Sequence, residues 1–315
     1  MRLDRFDLNL LIVLDALLEE RNVTKAALRL HIGQSAASGC LARLREYFGD
    51  DLLVLVGRQL MLTPLAESLV DPVRDTLLLA RAAIARKPGF DPATAERRFL
   101  ISASDYVTTV LMAEVVRRVA ELAPGILIDI RSPLPDVFEV FERGNIDLLV
   151  MPEQYMARFD SPKVKLFDDT QVCMVWSDNT VIGESLSFEA YMELGHVTIH
   201  LGDERSIAFE EWFLPTYGKQ RRIELSVDNF SILPLVVVGT NRIATLHRKQ
   251  AELFSRLFPL RLIDTPFDMP PVVEVMSWPK HLENDPAHQW LRQLITTCAQ
   301  SSAPVDDTSV VGRKA

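Results

Sequence analysis

Between residues 21 and 45 the chain reads RNVTKAALRLHIGQSAASGCLARLR, five cations and no acid, within a protein of formal net charge −9. Cations gathered in this way (Arg21, Lys25, Arg29, Arg43, Arg45) can neutralise phosphates. The short polar side chains set among them, Gln34, Ser35 and Ser38, can hydrogen-bond to base edges. The local chemistry is that of a surface turned toward a polyanion. Bulk composition hides it, because residues 1–63 carry eight cations against eight acids. The competing reading of the same residues is a helical hairpin with a solvated basic face.

Such a surface needs rigid elements to present it. Leu8, Leu11, Ile12, Val13, Leu14, Leu17 and Leu18 recur at helical spacing and predict a helix over 7–20. A second helix should start near Thr24 as its N-cap and bury Ala26, Ala27 and Leu30. The turn HIG follows, with Gly33 available for a special backbone angle. The next helix, 34–47, buries the stripe Ala37, Leu41, Leu44 and Phe48. Its opposite face, Ser35, Ser38, Gly39 and Ala42, is short enough to approach another surface closely, with Arg43 and Arg45 on its flanks. This is the geometry of a helix-turn-helix. DDLLVLVGRQLMLTP then predicts two short strands around Gly57 and Arg58, a wing that could carry Arg58 to a minor groove. Thr24, Lys25, Gln34, Ser35, Ser38, Gly39, Arg43, Arg45 and Arg58 are thus the candidate contacts to double-stranded DNA.

The stretch NVTKAALRLHIGQSAASGCLARLREYFGDDLLVLVGRQLMLTPLAESL resembles the N-terminal winged helix-turn-helix of LysR-type transcriptional regulators. The likeness lies in the paired alanines before the turn, Gln-x-Ala-x-Ser on the recognition helix and Leu-Thr-Pro at the end of the wing. It extends more weakly across residues 1–300. FDLNLLIVLDALLEERNVTKAA, FDD and GHVTIH are similar to the branch of nodulation regulators and activators of aromatic-compound degradation. Ser35 stands where the family usually has proline, and Gly33 where it usually has Ser or Thr, so the helix start lacks a rigid first residue and a side-chain cap. The resemblance implies an α/β effector domain of two lobes, of the periplasmic-binding-protein type, behind the winged helix-turn-helix (1–62). It also implies a small-molecule co-inducer with no other cofactor, and a homodimer or homotetramer acting on an operator with RNA polymerase.

From residue 63, Leu65 or Ala66, Leu69, Val73, Leu77, Ala80 and Ile84 keep one apolar seam along a long helix, and Pro72 should kink it or distort one turn. A second copy of the helix is the simplest partner for that seam; packing on its own chain is the alternative. RKPGFDP, 86–92, reads as a hinge that closes the linker, 63–88. Beyond it strands alternate with helices, which predicts parallel sheets with helices on both faces. The effector domain should span 89–300, with one lobe about 89–162 and 266–300 and the other about 163–265, and 301–315 should be a disordered tail.

In such lobes ligands sit at strand carboxyl ends and at the helix starts that follow. That rule selects Ser102, Ser104 and Asp105 after the first strand, and Arg131 and Pro133 after the second. It adds Thr198 and His200, Asn229 and Phe230, and His247. Phe209, Trp212 and Trp278 could supply aromatic walls, so the set suits a small aromatic or phenolic effector.

Several classes are excluded. His196 and His200 are four apart on a strand, about 13 Å, too far for one ion, and no HExxH is present. GxSxG, Walker and GxGxxG patterns are missing, so no enzyme is expected. Cys40, Cys173 and Cys298 show no CxxC spacing and read as small core thiols in a reducing compartment. With no signal-like or membrane-length apolar run, the expected location is the cytoplasm. The readings carried forward are a ligand-responsive DNA-binding regulator, probing an aromatic compound and controlling its degradation or a related pathway as an activator, and a rival. The rival is a small-molecule-binding protein or enzyme of binding-protein fold with a helical dimerisation module.

Overall fold

The computed structural model describes residues 6–57, 59–85, 89–157, 159–199 and 208–301. The chain divides into two compact units between 88 and 89.

The first unit contains α1 (Asn9–Glu20), α2 (Val23–Arg29), α3 (Gln34–Phe48), the hairpin strands β1 (Leu53–Val56) and β2 (Gln59–Leu62), and α4 (Pro64–Ala85). Leu14, Leu17, Ala26, Leu41, Leu44 and Leu52 form its core. Local chemistry corrects two details of the sequence reading. Asn22, not Thr24, caps α2, its carboxamide oxygen accepting the amides of Thr24 and Lys25 at 2.9 and 3.0 Å. Both residues suit an N-cap, but only Asn22 has the extended backbone that places its side chain over the first turn. The turn before α3 bends at His31, φ 53°, while Gly33 sits at an ordinary φ of −67°. As expected, α3 starts without a side-chain cap.

α4 runs unbroken through Pro72. The seam along it divides. Ala66, Val73 and Leu77 are buried in the core that α1 also lines, and Leu69 packs against that core, so this half is covered by its own chain. Ala80 and Ile84, the latter 86% exposed, are not, and Leu79 beside the seam is 58% exposed.

The second unit is built on two five-stranded sheets. In the first, β3 (Arg97–Ala103) lies parallel to β4 (Ile126–Arg131) and β5 (Leu148–Pro152). β12 (Val272–Ser277) runs antiparallel to β5 and to β6 (Lys163–Asp169). In the second sheet β8 (His196–Ile199) is parallel to β9 (Ile223–Val227) and β10 (Ile243–His247). There β7 (Gln171–Trp176) is antiparallel to β10 and β11 (Leu260–Ile263). Both sheets are therefore mixed rather than parallel, because the chain crosses between them twice and each crossing delivers a reversed strand. β6 belongs to the first sheet, which moves the first crossing from about 163 to Thr170. An alternating strand such as KVKLFDD fits an edge of either sheet, and its sequence does not say which.

Helices cover the sheets, among them the short α7 (Val137–Glu142), α8 (Glu153–Met156), α9 (Phe188–Glu193) and α11 (Leu233–Val237). α5 (Asp105–Val107), a π-helical turn (Thr108–Met112) and α6 (Ala113–Leu122) follow β3. α13 (Pro286–Ser301) packs on the same core, which includes Phe99, Ile101, Val115, Leu148, Leu291 and Cys298. Cys173 is buried too, whereas Cys40 is only half-buried, at the margin of the first unit's core. The tail expected beyond residue 301 lies outside the described residues.

Candidate functional site

The outward face of α3 is what its period dictates. Ala37, Leu41 and Leu44 face inward, and Gln34, Ser35, Ser38, Gly39 and Ala42 are exposed. Among the described residues no hydrogen bond engages the side chains of Gln34, Ser35 or Ser38, so their donors and acceptors point to solvent. A Cβ built on Gly39 meets nothing within 4 Å, which leaves this side of the helix open to a close-fitting surface. The uncapped start of α3 adds free backbone N–H groups and the positive end of the helix dipole.

The cationic field is smaller than the sequence suggests. Arg29 is neutralised from α1, hydrogen-bonded to Glu19 with Asp15 and Glu20 at 3.8 and 3.7 Å. Arg43 is exposed and pairs with Asp7 at 3.1 Å, a contact loose enough in water to exchange for phosphate. Thr24 and Lys25 are exposed on α2, and neither Lys25 nor Arg21 has an ion pair among the described residues. Arg45, expected at a phosphate, instead donates from Nε to the Asp51 carbonyl at 2.7 Å and from its other arm to the Leu53 carbonyl at 2.8 Å. Its fork is used inside the fold. Arg58 lies outside the described residues.

The candidate effector residues separate into two groups. Asp105, Phe230 and His247 converge where the two sheets of the second unit adjoin. The Asp105 carboxylate accepts the amide and hydroxyl of Ser231 at 2.8 and 2.7 Å, so it ties the lobes rather than standing free for a ligand. Tyr106 stacks on His247, ring centroids 4.0 Å apart, with Phe230 6.0 Å away. Ser104 caps α5 through the Val107 amide, and Asn229 precedes Phe230 with its amide turned to Asp228.

The others are scattered. Ser102 is buried with no hydrogen-bond partner for its Oγ. Arg131 is exposed and paired with Asp129, and Pro133 sits in the loop beyond it. Thr198 is buried within a second-lobe network in which Arg221 reaches Thr198 at 3.5 Å and the Tyr191 hydroxyl at 3.0 Å. Trp278 is a core residue of the first lobe, its indole donating to Glu283 and the Arg292 guanidinium 4.2 Å over its ring. It walls no cleft. Trp212 belongs to an aromatic cluster with Phe213, Tyr217 and Phe267. His200 lies outside the described residues, and Phe209 is placed by the α10 (Ala208–Tyr217) backbone alone.

Two concavities of about 600 and 610 Å³ open on the second unit, and none of the expected effector residues lines either. The first is bordered by Arg222, Glu224 and Arg242. The second lies between Thr109 and the charged start of α12 (Arg248–Leu257), beside Asp169.

Around that junction the sequence reading missed a buried polar cluster. The Tyr106 hydroxyl donates to Asp169 at 2.6 Å, and the Lys249 amide supports the same carboxylate at 3.1 Å. Gln250 donates to Thr109 at 3.3 Å. Burial, together with the nearby Asp169 charge, pushes the Glu274 carboxyl up to about 8, so it carries a proton at neutral pH. Burial holds His247 down at about 4 and neutral. These groups come from four separate segments (106–109, 169, 247–250 and 274), and only the unusual Glu within VVEVMSW could have flagged any of them. Among the described residues no three His, Cys, Asp or Glu side chains are grouped to hold a metal, and no helix is long and apolar enough to cross a membrane.

Comparison with known proteins agrees with this layout. Residues 8–67 match the bacterial regulatory helix-turn-helix protein, lysR family, and residues 93–299 match the LysR substrate binding domain. Nodulation protein D 2 of Rhizobium tropici is 43% identical over 295 residues, 94% of this chain and 93% of the relative. Nodulation protein D 1 of Rhizobium meliloti (strain 1021) is 40% identical over 310 residues, covering 98% and 100%. A full-length OxyR variant of Pseudomonas aeruginosa shares the fold at a TM-score of 0.63 and 15% identity, over 95% of this chain and 97% of that one.

Proposed function

Because the chain belongs to the LysR family of bacterial transcriptional regulators, we propose that it reads an operator with the outer face of α3 and answers a small aromatic molecule through its second unit. A DNA-binding regulator of this kind is not an enzyme, and the rival reading of a binding protein or enzyme is set aside. The observation that carries the DNA assignment is the exposed, unengaged row Gln34, Ser35, Ser38 and Gly39 on a helix whose other face is locked in a core. Short side chains let the helix enter a major groove, while Arg43, Lys25 and the uncapped helix start meet phosphates.

The effector reading draws on the aromatic group Tyr106, Phe230 and His247 where the lobes adjoin, since a ligand there contacts both lobes and can bias their arrangement. With relatives named for nodulation, the chain is read as an activator of genes that answer to that molecule. The exposed end of α4, Leu79 and Ile84, pairs two copies so that two recognition helices span about one DNA turn, and pairs of dimers form the larger assembly that meets RNA polymerase in the cytoplasm.

The test has two arms. Duplexes selected by the protein from a random pool should show a shared half-site repeated one helical turn apart; binding without preference would sink the operator reading. A screen of phenolic and other aromatic compounds, read by tryptophan fluorescence, should find ligands whose affinity falls in Phe230→Ala and His247→Ala. Hits indifferent to both changes would move the site elsewhere and leave the DNA assignment standing.

A further inference from the structure

The first unit holds a buried leucine in a conformation that L-residues avoid. Leu52 has φ 58° and is 1% exposed. A left-handed, non-glycine residue persists only where its surroundings fix it from several sides. Here they do. Its amide donates to the Asp50 carboxylate at 2.6 Å, and its carbonyl accepts the Thr63 amide at 3.0 Å. The same Asp50 oxygen accepts the Thr63 hydroxyl at 2.6 Å, and that hydroxyl accepts the Ala66 amide in the first turn of α4 at 3.2 Å. From the other side Arg45, in the last turn of α3, grips the carbonyls of Asp51 and Leu53 at 2.7 and 2.8 Å.

These bonds meet at one joint. It ties the end of the recognition helix to the entry of β1, and the exit of β2 to the start of α4. The wing needs such a joint, since a hairpin of two four-residue strands is marginal on its own. Its tip, Leu55, Val56 and Gly57, stands exposed beyond any core contact.

We propose that Arg45, Asp50 and Thr63 are positioning residues: they set the angle of the wing against α3 and α4, and operator affinity depends on them although none of them touches DNA. Arg45 fills this role because its planar fork spans two carbonyls, which a lysine cannot do. The joint also makes the wing and the start of α4 one rigid piece, so a displacement of that helix carries the wing with it.

The experiment uses the full-length chain, a duplex that the wild type selects from a random pool, and a scrambled duplex of equal composition. Thr63→Val removes a hydroxyl and no charge, and should weaken the selected duplex about tenfold while the scrambled one changes little. Thr63→Ser should restore affinity. Arg45→Lys and Arg45→Gln should both lose about tenfold, with the same slope of affinity against salt as the wild type. A slope lower by about one in Arg45→Gln would make it a phosphate contact and overturn the proposal. Wild-type affinity in Thr63→Val would also overturn it. Amide exchange checks the fold: protection should fall at Leu52 and Thr63 and persist across Leu41–Leu44. If Thr63→Val loses protection in α3, Arg45→Lys, which disturbs no apolar contact, decides the matter alone.

Discussion

The outer face of α3 and the lobe junction of the second unit are both polar, and they are polar in opposite ways. On α3 the side chains are short, exposed and unengaged among the described residues. At the junction Asp105, Tyr106, Asp169 and Gln250 are already bonded to other parts of the chain. A surface that binds a rigid external partner keeps its hydrogen-bonding groups unspent. One that must hold two lobes in a defined arrangement spends them on itself, and a ligand has to compete with those bonds. The first kind of site loses function when its shape changes; the second loses stability or alters its response.

The largest effect should come from filling the open face. Gly39→Glu meets no protein atom and replaces a helix-interior glycine with a better helix former, so the first unit should be at least as stable as the wild type. The new carboxylate would stand against phosphates and base edges, and affinity for every duplex should fall by roughly a hundredfold or more, on the scale of several lost or repelled contacts. A gel shift with a parallel melting curve measures both. Retained binding would mean that this face is not the one that meets DNA.

Next in size is assembly. Leu79→Asp with Ile84→Asp alters two exposed residues and should leave the fold intact while sedimentation reports a smaller particle and operator binding weakens by at least tenfold. Leu77→Asp is the contrast, because it places a charge in the core shared with α1 and should unfold the first unit. A double variant that sediments like the wild type would place the pairing surface outside the end of α4.

These contrasts explain what the sequence could and could not reveal. The α3 face was legible because a single helix carries it, and a 3.6-residue period sorts inside from outside without knowledge of any neighbour. Arg45 was misread for the same reason: periodicity places it on the flank, but the carbonyls of Asp51 and Leu53 that capture it belong to the chain beyond the helix. Arg29 was misread because its partners are on α1. The alternation of strands with helices in the second unit was legible, yet the strands' mixed direction and the placement of β6 depend on long-range pairing. The junction was least visible, since Tyr106, Asp169, Gln250 and Glu274 are spread over about 170 positions and nothing local marks them as neighbours.

A smaller effect tests the charge argument on α3. Arg43→Ala should weaken the selected and scrambled duplexes alike, by a few-fold, and lower the salt slope by about one. Ser38→Ala or Gln34→Ala should mainly reduce the preference between them. An Arg43 variant with an unchanged slope would show that the Asp7 pair persists on DNA.

The smallest change in DNA binding, none at all, is expected from the junction, and there the readout is stability against pH. All four tryptophans, Trp176, Trp212, Trp278 and Trp290, lie in the second unit, so their fluorescence follows that unit alone. Burial lowers His196, His247 and His288 to about 4, and a folded-state pKa below the unfolded one means the unfolded chain takes up protons first. Stability should therefore fall as pH drops from about 6.5 toward 4. Glu274 works from the other side. Its pKa is raised from 4.5 to about 8, so the folded state keeps a proton that the unfolded chain releases, and stability should fall as pH rises from about 4.5 to 8. In Glu274→Gln that second loss disappears: the variant should match the wild type near pH 5 and melt higher at pH 8, each kcal/mol being worth about 2–4 °C in a domain of this size. Operator affinity at pH 8 should be the same in both proteins, because the groups that titrate are far in sequence from the recognition helix. Equal melting at pH 8 would mean that Glu274 ionises freely in the fold, and the junction would then lack the buried neutral acid that sets it apart from the open face of α3.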